Sequence, residues 1–144
     1  MREKALKLLG LMRRANAIQI GEDNSGDAVC AGKARLLLLA SDASDNARRR
    51  AEHFIRGRRT LLVELPFDKE ELAGALGVSG GAMATVTDLG FADALMQILT
   101  EIDPERYGQI AEETGRRREK ASRRKKETLA LKKEQRNGKR RTNG

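Results

Sequence analysis

Residues 32–50, GKARLLLLASDASDNARRR, constrain the fold more than any other stretch of the chain. Leu36 to Leu39 form a continuous apolar run of strand length, led in by a glycine and two cations. The run lacks the alternation of a strand with one wet face, so both of its faces must be covered, as at the centre of a sheet with helices on either side. Polar Ser41, Asp42 and Ser44 follow, and Ser44 is placed to accept a bond from a free amide of the next turn. Beyond it Ala47, Ala51, Phe54 and Ile55 recur at helical spacing.

The rest of the chain repeats this alternation of strand and helix. Residues 3–14 read as a helix with an apolar stripe of Ala5, Leu8, Leu9 and Met12, and 17–20 as a short strand. Residues 21–31 make a weak helix, because Asp, Asn and Ser have poor propensity and Gly26 alone costs about 1 kcal/mol relative to Ala. A strand is expected over 61–65, then a helix opened by Asp68 and Glu71 at capping-box spacing, faced with Leu72, Ala75 and Leu76 and closed by Gly77. Residues 82–87 form a last strand. Asp88 then caps a helix with Leu89, Ala92, Met96 and Leu99 inward, which stops before Pro104. The expected fold is α/β: a three-layer α/β/α sandwich with a small mixed sheet, followed by a basic C-terminal tail.

With 144 residues, 39% of them hydrophobic, there is room for one domain with a core, and at 3% aromatic content that core must be aliphatic. Net charge is +8, and its location matters more than its size. Residues 116–144 hold 14 of the 29 Lys and Arg against three glutamates, a balance of +11, which leaves residues 1–115 at −3. Past Pro104 the apolar pattern fades. A domain over 1–103 and a basic extension over 104–144, disordered or a solvated helix until an anion binds it, are therefore expected. Cys30 is the only cysteine, so no internal disulfide can form, which suits a reducing cytoplasm. The N-terminus lacks a signal-peptide core and no apolar run approaches the ~20 residues of a membrane span, so no membrane partner is expected.

The order of short motifs resembles the YlxQ family, bacterial relatives of the kink-turn-binding ribosomal proteins of the L-seven-Ae superfamily. The residues that carry it are Leu9-Gly10-Leu11 with Arg13-Arg14-Ala15, then Gly21-Glu22, then the Gly32 to Arg50 block, Leu76-Gly77, Val86-Thr87-Asp88 and Gly90-Phe91-Ala92. The resemblance spans roughly residues 5–100. It implies a non-catalytic RNA-binding protein, recognising kink-turn-like or ribosomal RNA through two neighbouring loops. In this chain those loops hold Gly21, Glu22, Asp23 and Asn24, and Val78, Ser79, Gly80 and Gly81, with Lys33 and Arg35 near enough in sequence to assist. Amide and carboxylate groups would meet guanine edges there, a helix start would approach phosphate, and small residues would let the backbone come close. The family's lysine on the first loop is replaced here by Asp27, and Asp23-Asn24 stand where kinked-RNA binders have Asn then Glu.

The tail adds a sequence-independent hold on phosphates through Arg116, Arg117 and Arg118 and through Arg123, Arg124, Lys125 and Lys126. A rival reading makes the same scaffold a protein-interaction module on a translation or ribosome-assembly factor; Asp27 and the negative body favour it. Arg48, Arg49 and Arg50, with Arg56, Arg58 and Arg59, occupy several helix faces and read as surface cations, some paired with Glu52.

Catalytic readings find no support. Gly26 to Lys33 has the wrong glycine spacing for a phosphate loop, Ala34 where a metal-binding hydroxyl belongs, and precedes its strand rather than following one. Cys30 and His53 are single residues of their kinds, too few for a zinc site, and Cys30 reads as a core position. Asp42 and Asp45 read as turn and first-turn anions. No cofactor or metal is expected.

Overall fold

The computed structural model describes residues 1–142, with side chains to residue 136; the end of the expected basic extension, 143–144, lies outside the described residues. Four strands form one sheet: β1 (Ile18–Ile20), β2 (Leu36–Leu39), β3 (Leu61–Glu64) and β4 (Met83–Val86). Their order across the sheet is β1-β4-β2-β3. β2 and β3 are parallel, with Leu36 opposite Leu61, whereas β4 runs antiparallel to both β1 and β2. The sheet is therefore mixed, and β1, β2 and β3 all finish at the same end.

The Leu36–Leu39 run has the covered environment that its composition demands, each residue no more than 2% exposed. Leu36 and Leu38 point into the larger core with Ala84 and Val86, against α1 (Arg2–Arg14), α4 (Lys69–Leu76) and α5 (Leu89–Ile102). Leu37 and Leu39 join Met83 on the other face, beneath α3 (Asp45–Ile55), with α2 (Glu22–Cys30) beside it. That is the three-layer sandwich.

The helix starts follow their local signals. The Ser44 hydroxyl accepts from the Ala47 amide at 3.1 Å. Asp68 and Glu71 make a reciprocal capping box, Gly77 ends α4 in the left-handed conformation, and Asp88 accepts from the Phe91 amide at 2.9 Å. Asp42 accepts from the Lys69 amide at 2.8 Å, so it fastens the start of α4 to the loop after β2.

One expectation, the helix after Gly21, is met against local propensity, and another, the end of the core, is exceeded. Gly26, a poor helix former, sits where α2 crosses Phe54 of α3: a Cβ there would lie 2.7 Å from the ring. Close approach of the two helices decides that position, and propensity yields to it. The core also continues past Pro104. α6 (Pro104–Thr142) follows α5 with only Asp103 between them and turns back onto α5. Tyr107 is 1% exposed, Thr114 is buried, and Ile110 and Ala111 pack against the same cluster. These positions recur at helical spacing within a polar sequence, a stripe too thinly apolar to stand out.

α6 runs beside the edge strand β3. The Tyr107 hydroxyl donates to the Glu64 carbonyl at the end of β3, and ten residues later the Arg117 guanidinium donates to the Arg59 carbonyl just before its start, at 2.7 Å. Ten helical residues rise about 15 Å. A strand of this length covers about the same distance. The basic part of α6 is thereby carried to the end of the sheet opposite to the one where β1, β2 and β3 finish.

Candidate nucleic-acid interface

Backbone pairing brings the end of the second expected loop next to the start of the first. β1 runs into Gly21, whose N–H donates to the Met83 carbonyl at 2.9 Å, so the start of α2 is tied to the start of β4. The residues before β4 are Gly80, Gly81 and Ala82, and the Ala82 carbonyl accepts from Ala40 at 2.8 Å. The rim of the sheet therefore presents Gly21 to Asn24 beside Val78 to Gly81. Gly21 and Gly81 hold φ of +96° and +128°, values that L side chains rarely adopt, so glycine is what lets the chain turn there.

Ser79, Gly80 and Gly81 are exposed, while Val78 is half-buried against the core. Asp23 and Asn24 are exposed and Glu22 is half-buried. The α2 N-terminus has no side-chain cap. Asn24 instead turns back, its Nδ2 donating to the Ile20 carbonyl at 3.0 Å, which leaves its Oδ1 for another donor. Asp27 lies exposed one turn further along α2.

The sequence reading missed Arg50. From α3 it reaches the start of α2, bonding Glu22 at 2.6 Å and Asp23 at 3.0 Å while its guanidinium lies 5.4 Å from the centre of the Phe54 ring. These contacts raise the Arg50 pKa, chiefly through the bonds to the two carboxylates. A cation is thus supplied to the rim from a different element, and it fixes the Glu22 carboxylate in direction. Nothing in the spacing of residues 22 and 50 signals this; only the packing of α2 on α3 does. Other arginines of α3 also find unexpected partners. Arg48 bonds Glu64, and Arg49 donates to Asn46 at 2.7 Å.

Lys33 and Arg35 are not part of this rim. Both precede β2, and the Arg35 amide donates to the Val86 carbonyl at the far end of β4. They stand at the opposite end of the sheet, because α2 runs the length of the sheet between Asn24 and Lys33. The tail residues divide. Arg116 and Arg117 both bond Glu113, at 2.7 and 2.8 Å, and hold its carboxyl below the ordinary range, the Arg117 bond being the larger cause. Arg118 pairs with the buried Asp93 at 2.9 Å. Arg123, Arg124, Lys125 and Lys126 are exposed.

Among the described residues no cluster of three or more His, Cys, Asp or Glu could hold a metal, and no helix is long and apolar enough to cross a membrane. Cys30 is exposed at the end of α2, not in the core as its residue type suggested, because the buried face of that short helix is taken by Ala28 and Val29.

With this geometry in place, likeness to known proteins becomes informative. No family model matches the sequence. The RNA-binding protein YlxQ of Bacillus subtilis (strain 168) is 34% identical over 96 residues, spanning 64% of this chain and 91% of its own length. The chain belongs to the YlxQ family. A solved structure of a protein with unknown function from Bacillus halodurans C matches with a TM-score of 0.59 at 28% identity, over 64% of this chain and 92% of its own. About a third of this chain therefore lies outside the part shared with either.

Most of the residues that carry the YlxQ likeness turn out to be scaffold. A Cβ at Gly10 would lie 3.0 Å from the Ala75 carbonyl, so α1 and α4 touch there, and Arg13 donates to the carbonyls of Leu76 and, at 2.8 Å, Gly77. The Thr87 hydroxyl donates to the Ala17 carbonyl at 3.1 Å. Gly21 and Glu22 are the motif residues that stand on the rim itself.

Proposed function

We propose that this chain is a non-catalytic RNA-binding protein that recognises structured RNA, kink-turn-like or ribosomal, with the rim formed by Gly21 to Asn24 and Val78 to Gly81. The observation that carries this reading is the pairing of Gly21 with Met83, which sets an uncapped helix start beside a glycine loop on one exposed edge. Glu22, held by Arg50, offers a fixed acceptor to guanine amino and imino groups, and Asn24 keeps one free amide oxygen for a base edge. Gly80 and Gly81 have no side chain to keep a nucleotide away. The name of the Bacillus subtilis relative supports RNA as the ligand class. The test is titration at fixed salt of a kinked RNA and a straight duplex against Glu22→Ala and Asn24→Ala. Greater loss on the kinked RNA is expected, and equal loss on both refutes a role for the rim.

One observation favours a second reading. Asp27 is exposed on the same helix as the rim residues, in a body of charge −3, which suits a protein contact better than a phosphate chain. In that case partners retained from a lysate, translation or ribosome-assembly factors among them, would survive ribonuclease treatment.

A further inference from the structure

At the end of the sheet opposite the rim, a cleft of about 570 Å³ opens between the body and α6. Six cations line it: Arg35 before β2, Arg58 and Arg59 before β3, and Arg117, Lys120 and Arg124 from one face of α6. The three helix residues are spaced i, i+3 and i+7, so a single stripe faces the three arginines of the body. Among the described residues no carboxylate lines the cleft, and five of its six cations make no ion pair; Arg117 alone is shared with Glu113. Like charges brought together in this way repel one another, and the repulsion is relieved by an anion that all of them can reach.

We infer that this cleft is a second binding site, one that clamps the phosphodiester backbone of RNA between the body and α6. It takes its ligand class from the RNA-binding reading above but stands at a separate place on the molecule. Two features select a polymer over a single phosphate or nucleotide. The lining holds no aromatic ring on which a base could stack, so the contact is to backbone and carries little sequence preference. Past Arg124 the same helix continues with Lys125, Lys126, Lys132, Lys133 and Arg136, so a strand leaving the cleft meets further cations. The tail is then one wall of a shaped site, not a loose polycation, because Arg117 anchors it to the Arg59 carbonyl.

The experiment uses the full chain and a labelled straight RNA duplex of mixed sequence, titrated by anisotropy over a series of salt concentrations. The variants are Arg58→Gln with Arg59→Gln, Lys120→Gln with Arg124→Gln, the four together, and Lys126→Gln with Lys133→Gln, which helical spacing puts on the face of α6 opposite the cleft stripe. Circular dichroism checks the fold of each. Each cleft pair should weaken binding on the order of tenfold near 0.1 M salt and flatten the salt slope by between one and two. Together they should weaken it by less than the product, since a backbone released by one wall is no longer gripped by the other. The outer pair should cost less than Lys120 with Arg124. Equal losses from the outer and cleft pairs, or losses from the two walls that simply multiply, overturn the clamp. So does competition by millimolar inorganic phosphate at constant ionic strength, which would mark a small-anion site. If the cleft variants bind straight duplex as the parent does while Glu22→Ala still loses kinked RNA, the clamp fails and the rim stands; if the parent binds neither RNA, both fail.

Discussion

At the scale of single residues, the positions of greatest consequence are those where two elements meet. Gly26 is a direct case, because its cost to α2 and its benefit to packing have opposite signs and can be separated. Gly26→Ala brings a Cβ to 2.7 Å from the Phe54 ring and should destabilise the protein by about 1–2 kcal/mol. In a Phe54→Ala background the clash is gone and helix propensity remains, so the same substitution should stabilise by about 0.5–1 kcal/mol. Denaturant melts of the four proteins of the cycle read this directly, and an unchanged sign would show that Phe54 is not what requires glycine. Glu64 offers a second test. Its carboxyl pKa is lowered first by the bond to Arg48 and further by Arg106, against a desolvation effect that raises it. A carboxylate with a folded pKa below its unfolded value stabilises the fold above the ordinary carboxylate range, and that stability is lost as pH falls through the lowered value. Between about pH 5 and 3 the parent should therefore lose melting temperature faster than Glu64→Gln. Parallel curves for the two proteins would deny Glu64 any part in the acid limb.

At the scale of elements, α1 and α4 act on the rim without touching it. Arg13 of α1 donates to the last carbonyls of α4, Leu76 and Gly77, and the next residues are Val78 to Gly81. A guanidinium there both completes the helix end and fixes where the glycine loop begins. Arg13→Met keeps most of the apolar stem while removing the donors. It should cost about 1–2 kcal/mol of stability and speed amide exchange at Ser79 to Gly81 more than at Ser25 to Val29 of α2. Uniform acceleration across both segments would mean that α1 only stabilises the fold and does not order the loop. This arrangement also explains why the sequence was readable where it was. The caps at Ser44, Asp68 and Asp88 depend on residues three positions away, so local spacing reveals them. The Arg50 bridge to Glu22 and Asp23 joins residues 28 and 27 positions apart on different helices, and no local rule reaches that far.

At the scale of the whole molecule, the decisive fact is that α6 is both core and extension. The sandwich and its strand limits were legible because apolar runs and helix caps mark them, whereas the two loops of the rim were suggested by the likeness to the YlxQ motifs. The end of the core was not legible, because Tyr107, Ile110, Ala111 and Thr114 make a stripe in which each turn has only one or two inward residues, and most of the rest are charged or polar. Lys33 and Arg35 were misplaced on the rim for a related reason: nearness in sequence to a helix start says nothing about which end of the sheet a residue occupies after the helix has crossed it. Two truncations separate the roles of α6. A chain ending at Asp103 loses the Tyr107 side chain from the core and its hydroxyl bond to Glu64, together with the Arg106 pairing. Loss of a buried aromatic costs about 3–5 kcal/mol, so its melting temperature should fall by more than about 10 °C. A chain ending at Gly115 keeps Tyr107 and Thr114 and should lose less melting temperature than the shorter one, its cost coming from Asp93, which no longer has Arg118 as a partner. It lacks Arg117, Lys120 and Arg124, together with the cations that follow them, so its salt slope on straight RNA should be shallower by at least about two to three. Were the slope unchanged in that chain, the cations of α6 would have no part in holding RNA, and binding would have to come from the body, by the rim or by Arg35, Arg58 and Arg59.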